Sequence, residues 1–153
     1  MEGGKILGKP AVPEGELVEY SISTLAWVGD AVFELYVRTR LSSEYKTASG
    51  PLHQLATHYV SARGQAELAG KLTGEAGSFP LEPHEDKLLR RARNYHSSSM
   101  SRNALPADYR KATALEALIG WLWLAGKEDR VVELIDYLLD TSRTDGPDHG
   151  SGC

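Results

Sequence analysis

Ala114-Leu115-Glu116-Ala117-Leu118-Ile119-Gly120-Trp121-Leu122-Trp123-Leu124-Ala125 holds a single ionisable residue among its twelve. A helix that is apolar on nearly every side is usually buried on nearly every side. The stretch therefore predicts a central helix, from about Ala107 to Ala125, wrapped by others. It is interrupted by Glu116 and falls short of the ~20 apolar residues a membrane span needs. Working outward, the helical period recurs. Ile22, Leu25, Ala26, Gly29, Phe33, Tyr36 and Val37 predict a helix over 22–40, with Ser21 or Ser23 as its cap. Pro51 opens a second run through Leu52, Leu55, Ala56, Tyr59 and Val60, which continues to Leu72 unless Gly64 kinks it. A third covers 83–94 around Leu88 and Leu89, and a last one covers 127–139 with Val131, Val132, Leu134, Ile135 and Leu138 inward. No stretch alternates with period two. The expected fold class is all-α.

The 153 residues suit one domain, large enough to bury a core without disulfides. The only cysteine, Cys153, has no partner within the chain, which fits a reducing compartment. Met1-Glu2-Gly3-Gly4 has no charged-then-apolar export layout, so the expected location is cytoplasmic. Residues 1–19, rich in Gly, Pro and Glu, read as an irregular arm, 20–140 as the helical domain, and 141–153 as a loose tail.

The net charge of −4 hides an uneven distribution. Between Lys87 and Lys111 lie seven basic residues and one acid, a local +6 against −10 for the rest. Such a window suits a polyanion meeting one face, or else a solvated helix face.

Two acids are out of place. Glu116 stands in wholly apolar company, and a buried glutamate needs a cation, a hydrogen-bonded partner or a raised pKa. Asp30, after Gly29, sits at the edge of its helix's apolar stripe, and Glu34 follows one turn later on the same flank. Two carboxylates facing each other from different helices would make a hard-oxygen site for Mg²⁺, with water positions left for a phosphate oxygen. The alternative is structural satisfaction of both acids by Arg, Tyr or Trp partners.

Leu25-Ala26-Trp27-Val28-Gly29-Asp30-Ala31-Val32-Phe33-Glu34-Leu35 resembles the signature helix of the ribonuclease III family, and Leu115-Glu116-Ala117-Leu118-Ile119-Gly120 resembles its second catalytic helix. The whole core resembles the short Mini-ribonuclease III branch, which lacks a separate double-stranded-RNA-binding domain. Leu52-His53, Val60-Ser61-Ala62, Gln65-Ala66, Arg91-Ala92-Arg93-Asn94 and Tyr109-Arg110-Lys111-Ala112-Thr113 follow in that branch's order, over about residues 22–135.

The resemblance implies a ribonuclease III-like catalytic domain that works as a homodimer. It implies a Mg²⁺-dependent endonuclease for double-stranded RNA, with Asp30 and Glu116 as catalytic, metal-binding carboxylates. Trimming of the large-subunit ribosomal RNA precursor is the implied task, with a large-subunit ribosomal protein as a candidate partner. Arg91, Arg93, Asn94, Arg102, Arg110 and Lys111 become the candidate RNA contacts. The chain also departs from the family pattern. Acids that longer members carry before the aspartate are replaced by Ala26 and Ser23, and the one before the glutamate by Thr113. Ala92 and His96 stand where the Mini branch has Gly and Lys. The expectation is one weakly held Mg²⁺ per subunit, with Glu34 acting through water or orienting a basic neighbour, or else forming only a surface salt bridge. Loss of those acids also supports a rival reading, an inactive RNA- or ribosome-binding module. His53 and His58, five apart, point to different helix faces and do not suggest zinc.

Overall fold

The computed structural model describes residues 5–6, 9–72, 79–95 and 107–145. Its elements are seven helices and one minimal strand pair among the described residues. β1 (Lys5–Ile6) and β2 (Lys9–Pro10) pair antiparallel. Then come α1 (Glu14–Leu17), α2 (Ile22–Glu44), α3 (Ser49–Val60), α4 (Ala62–Gly70), α5 (Pro83–Arg93), α6 (Ala107–Leu124) and α7 (Glu128–Asp145). The all-α expectation holds.

α6 is the hub. Ala112, Ala114, Leu115 and every residue from Ala117 to Leu122 are buried, so its wall is packed nearly all round by α2, α4, α5 and α7. Its end is a glycine cap. Gly126 takes a φ of 78°, Lys127 N–H donates to Leu122 O (2.9 Å) and Gly126 N–H to Trp123 O (2.9 Å), which satisfies the last carbonyls. α2 begins as expected, with Ser21 Oγ accepting from Thr24 N–H at 3.0 Å.

α2 and α6 make the most extensive contact in the fold, and glycines set its depth. A Cβ on Gly29 would lie 1.7 Å from Glu116 O, and one on Gly120 would lie 1.9 Å from Leu25 O. Backbone meets backbone here, which brings the residue after Gly29 and the side chain of Glu116 to one place.

Three local readings change. The run from Pro51 does not continue to Leu72 as one helix. It breaks at Ser61, whose extended backbone caps α4 with Oγ accepting from Gly64 N–H (3.0 Å). Gly64 fits because a Cβ there would lie 2.1 Å from His58 O. The N-terminal stretch is not irregular throughout: Leu17 of α1 is fully buried, and Val12 N–H donates to Leu124 O (2.8 Å). α7 continues to Asp145, five residues into the stretch read as tail, while 146–153 lie outside the described residues.

Candidate active site

The α2–α6 crossing opens into a cavity of about 480 Å³. α2 contributes Asp30 and Glu34, α6 contributes Arg110, Thr113 and Glu116, and α4 contributes Gln65. Asp30 and Glu116, 86 positions apart in sequence, hydrogen-bond to each other there. Thr113, Ala26 and Ser23 line the same cavity, so the positions where longer family members carry further acids do face the site.

Gln65 is the residue that sequence reasoning passed over. It is 1% exposed, and its Nε2 donates to Asp30 Oδ1 (3.2 Å) and Val60 O (3.1 Å). Its Oε1 is buried and has no hydrogen-bond partner. An uncharged amide between Gly64 and Ala66 gives no local signal of a functional place. Only the break at Ser61 turns it toward Asp30.

The electrostatics follow from crowding. Burial pushes the Glu116 carboxyl up to about 8, helped by Asp30 through a hydrogen bond and its charge, while Gln65 pulls the other way. A carboxyl whose folded pKa is raised keeps a proton that the unfolded chain has already released near 4.5. Folding stability then falls as pH rises from about 4.5 to 8. In metal-free protein, wild-type Tm should fall across that window, and Glu116→Gln should flatten the decline and raise Tm at pH 8. Parallel Tm curves for the two proteins would refute it.

The donor set is of hard carboxylate oxygens. Among the described residues, no group of three or more His, Cys, Asp or Glu gathers at one point. A cation here would therefore take the two carboxylates and complete its shell with water or phosphate oxygen, the preference of Mg²⁺. The unpartnered Gln65 Oε1 adds an acceptor for such a shell, so the residues present fit the ion.

The basic residues do not form one rim. Arg110 lines the acidic cavity beside Tyr95 and Tyr109. Arg93 and Lys111 face a separate groove of about 180 Å³ with Ala69 and Leu89. Consecutive residues stand about 100° apart around a helix, so Arg110 and Lys111 face different sides of α6. Arg91 donates to Tyr20 O (3.3 Å), Arg90 pairs with Asp86 (3.1 Å), and Asn94 is the exposed C-cap of α5. Arg102 lies outside the described residues. Glu34 forms an exposed i,i+4 ion pair with Arg38 at 3.2 Å. Trp121 is core, with the His84 ring tilted against it at 5.0 Å between centroids and the Lys127 ammonium over its face.

Comparison with known proteins decides the family. The pattern that defines the ribonuclease III domain matches residues 23–127, which includes both acids. The chain belongs to the ribonuclease III family. Within that family it is 41% identical over 116 residues to Mini-ribonuclease 3 of Enterococcus faecalis, covering 75% of this chain and 85% of that one. It is 31% identical over 141 residues to Mini-ribonuclease 3 of Clostridium tetani, covering 89% and 90%. A crystal structure of a Fusobacterium nucleatum protein shares the fold at a TM-score of 0.67 and 26% identity, covering 83% of this chain and 98% of that one. Ribonuclease III membership, on the Mini-ribonuclease III side, carries the activity class: an endoribonuclease acting on RNA. Among the described residues, no helix is long and apolar enough to cross a membrane.

Proposed function

We propose that this ribonuclease III-family protein is a Mg²⁺-dependent endoribonuclease cutting double-stranded RNA at the Asp30–Glu116 pair. Its proposed task is maturation of the large-subunit (23S) ribosomal RNA precursor, in the cytoplasm and as a homodimer. The observation that carries the reading is the meeting of two carboxylates from separate helices in an open cavity with an arginine beside them. Held by Asp30 and Glu116, Mg²⁺ supplies polarisation of a phosphodiester oxygen and activation of water. The water oxygen would bond to phosphorus as the P–O3′ bond breaks, one water proton passing to solvent and O3′ taking one up, leaving a 3′-hydroxyl and a 5′-phosphate. The chain's own part is to align the two carboxyl groups and to offset their repulsion of RNA with Arg110.

Recognition rests on A-form shape, phosphates and 2′-hydroxyls, because the deep major groove hides the bases. Arg110 contacts a phosphate at the cavity, while Arg93 and Lys111 take one in their own groove, with Arg91, Asn94 and Arg102 nearby in sequence. Arg93→Ala should weaken RNA binding and make the salt dependence shallower by about one unit in a log–log plot. A slope equal to wild type would return Arg93 to a solvated surface role.

For the homodimer, α2 supplies an exposed apolar stripe at four-residue spacing: Trp27, Ala31 and Leu35, with Trp27 77% and Leu35 63% exposed. A second copy would cover it. The protein would lean on the dimer, or on a large-subunit ribosomal protein that shapes the RNA.

The test is incubation with double-stranded RNA, with Mg²⁺ or with a chelator, beside Asp30→Asn and Glu116→Gln. Mg²⁺-dependent cutting lost in both variants with RNA binding kept is the expected result. A wild-type protein that binds but never cuts, even on precursor ribosomal RNA, would establish the inactive binding module instead.

A further inference from the structure

Among the described residues, Gln65 is the one buried polar side chain at the site with an unanswered atom. Its amide orientation is determined by its neighbours. Nε2 faces Asp30 Oδ1 at 3.2 Å and Val60 O at 3.1 Å, and both can only accept. Turning the amide over would set its oxygen against a carboxylate and a carbonyl. Oε1 is therefore a true acceptor, buried and unpartnered among the described residues. Leaving such a group unsatisfied costs about 1–3 kcal/mol. Packing alone does not account for it, since a leucine would fill the same space without that cost.

The amide also ties three elements together. Val60 O is the last carbonyl of α3, Gln65 belongs to α4, and Asp30 to α2. Donating to Asp30 fixes the orientation of its carboxylate, and Gln65 lines the same cavity. A donor arriving beside Asp30 would find this acceptor already held in place.

We propose that Gln65 is a positioning residue for a divalent cation: Nε2 orients the Asp30 carboxylate toward the ion, and Oε1 accepts a hydrogen bond from the ion's hydration shell. The inference rests on the reading that Asp30 and Glu116 bind the cation. It accounts for a site with only two carboxylates, because a fixed amide supplies orientation that an additional acid would supply elsewhere. Outer-shell partners of this kind are typically worth 10–100-fold in metal affinity.

The experiment is calorimetric titration of Mn²⁺ into RNA-free protein at one pH, comparing wild type, Gln65→Leu and Asp30→Asn. Mn²⁺ stands in for Mg²⁺, and circular dichroism checks the fold of each. Gln65→Leu should raise the Mn²⁺ Kd roughly 10–100-fold while RNA affinity in chelator stays within twofold. Asp30→Asn should abolish binding. An Mn²⁺ Kd within twofold of wild type in Gln65→Leu, with binding lost in Asp30→Asn, overturns the Gln65 inference alone. Binding unchanged in Asp30→Asn overturns the metal pair itself. If Gln65→Leu weakens RNA but spares Mn²⁺, Oε1 serves a ribose hydroxyl and the proposal fails. Should Gln65→Leu not fold, the side-chain amide signals of Gln65 in wild-type protein decide. They should move saturably with Mg²⁺, and signals that stay in place overturn it.

Discussion

Gly29→Ala is expected to cost about 3 kcal/mol of stability, the upper end of ordinary overpacking, and to abolish most of the RNA cutting. The added methyl would sit 1.7 Å from Glu116 O and 2.8 Å from Gly120 N. Neither is the end of a flexible side chain, so the clash is relieved only when α2 and α6 separate. That separation moves Asp30, next to Gly29, away from Glu116, whose own carbonyl is struck. Misplacement by about 1 Å is enough for a 10²-fold loss of rate. At about 2–4 °C per kcal/mol for a chain of this size, Tm should fall by roughly 6–12 °C. Gly50→Ala is the control. It lies in the first turn of α3 with open space around it, so the substitution should be neutral or slightly stabilising. Calorimetry and a cleavage assay on both variants decide it. A Gly29→Ala protein with wild-type Tm and activity would mean that the two backbones are not in contact.

The second large effect lies at the other end of the bundle. Arg130→Ala should cost about 3–5 kcal/mol, because it strands the buried carboxylate of Glu85. That carboxylate is 2% exposed and takes both tines of the guanidinium fork, Nη2 at 2.7 Å and Nε at 2.8 Å. Arg130 also donates to Pro80 O (2.9 Å), pairs with Glu133 (3.0 Å) and stacks on Phe79 at 4.5 Å. Burial alone would push the Glu85 carboxyl up. The Arg130 hydrogen bonds, with the Glu82 N–H, outweigh it and hold the carboxyl below its usual range. The stabilisation is therefore present above about pH 4.5 and is lost as pH falls through the lower folded value. In Arg130→Ala the loss of Tm should be largest near neutral pH and should shrink in acid. Replacing both partners, as Glu85→Leu with Arg130→Met, should recover much of the loss, since an apolar pair leaves no unpaired charge. Chemical denaturation of the single and double variants measures this, and a double variant as unstable as the single one would refute it.

These two sites differ in how visible they are in the sequence. Asp30 and Glu116 stand out because a charge in apolar company is costly wherever its partner is. Glu85 does not stand out. In His84-Glu85-Asp86-Lys87 it reads as one more solvated charge. Its burial is decided by Arg130, 45 positions away. The basic window shows the same limit. Its charge is plain from composition, but its division between the acidic cavity and a second groove depends on how α5 and α6 are turned.

Local chemistry by itself determined that the chain is helical and where α2, α5 and α6 lie, through apolar period and caps such as Ser21, but not the break at Ser61, the short α1 or the end of α7. The pairing of Asp30 with Glu116 could be expected only through the family resemblance. Tertiary structure alone decided how closely those acids approach, that Gln65 stands between α3, α4 and α2 with an unanswered oxygen, and which cations face them. The physical reason is one of range. Helical period and the cost of a buried charge are properties of a few neighbouring residues. A meeting of side chains depends on the crossing of two helices, and that crossing is set by backbone contact at Gly29 and Gly120, 91 positions apart.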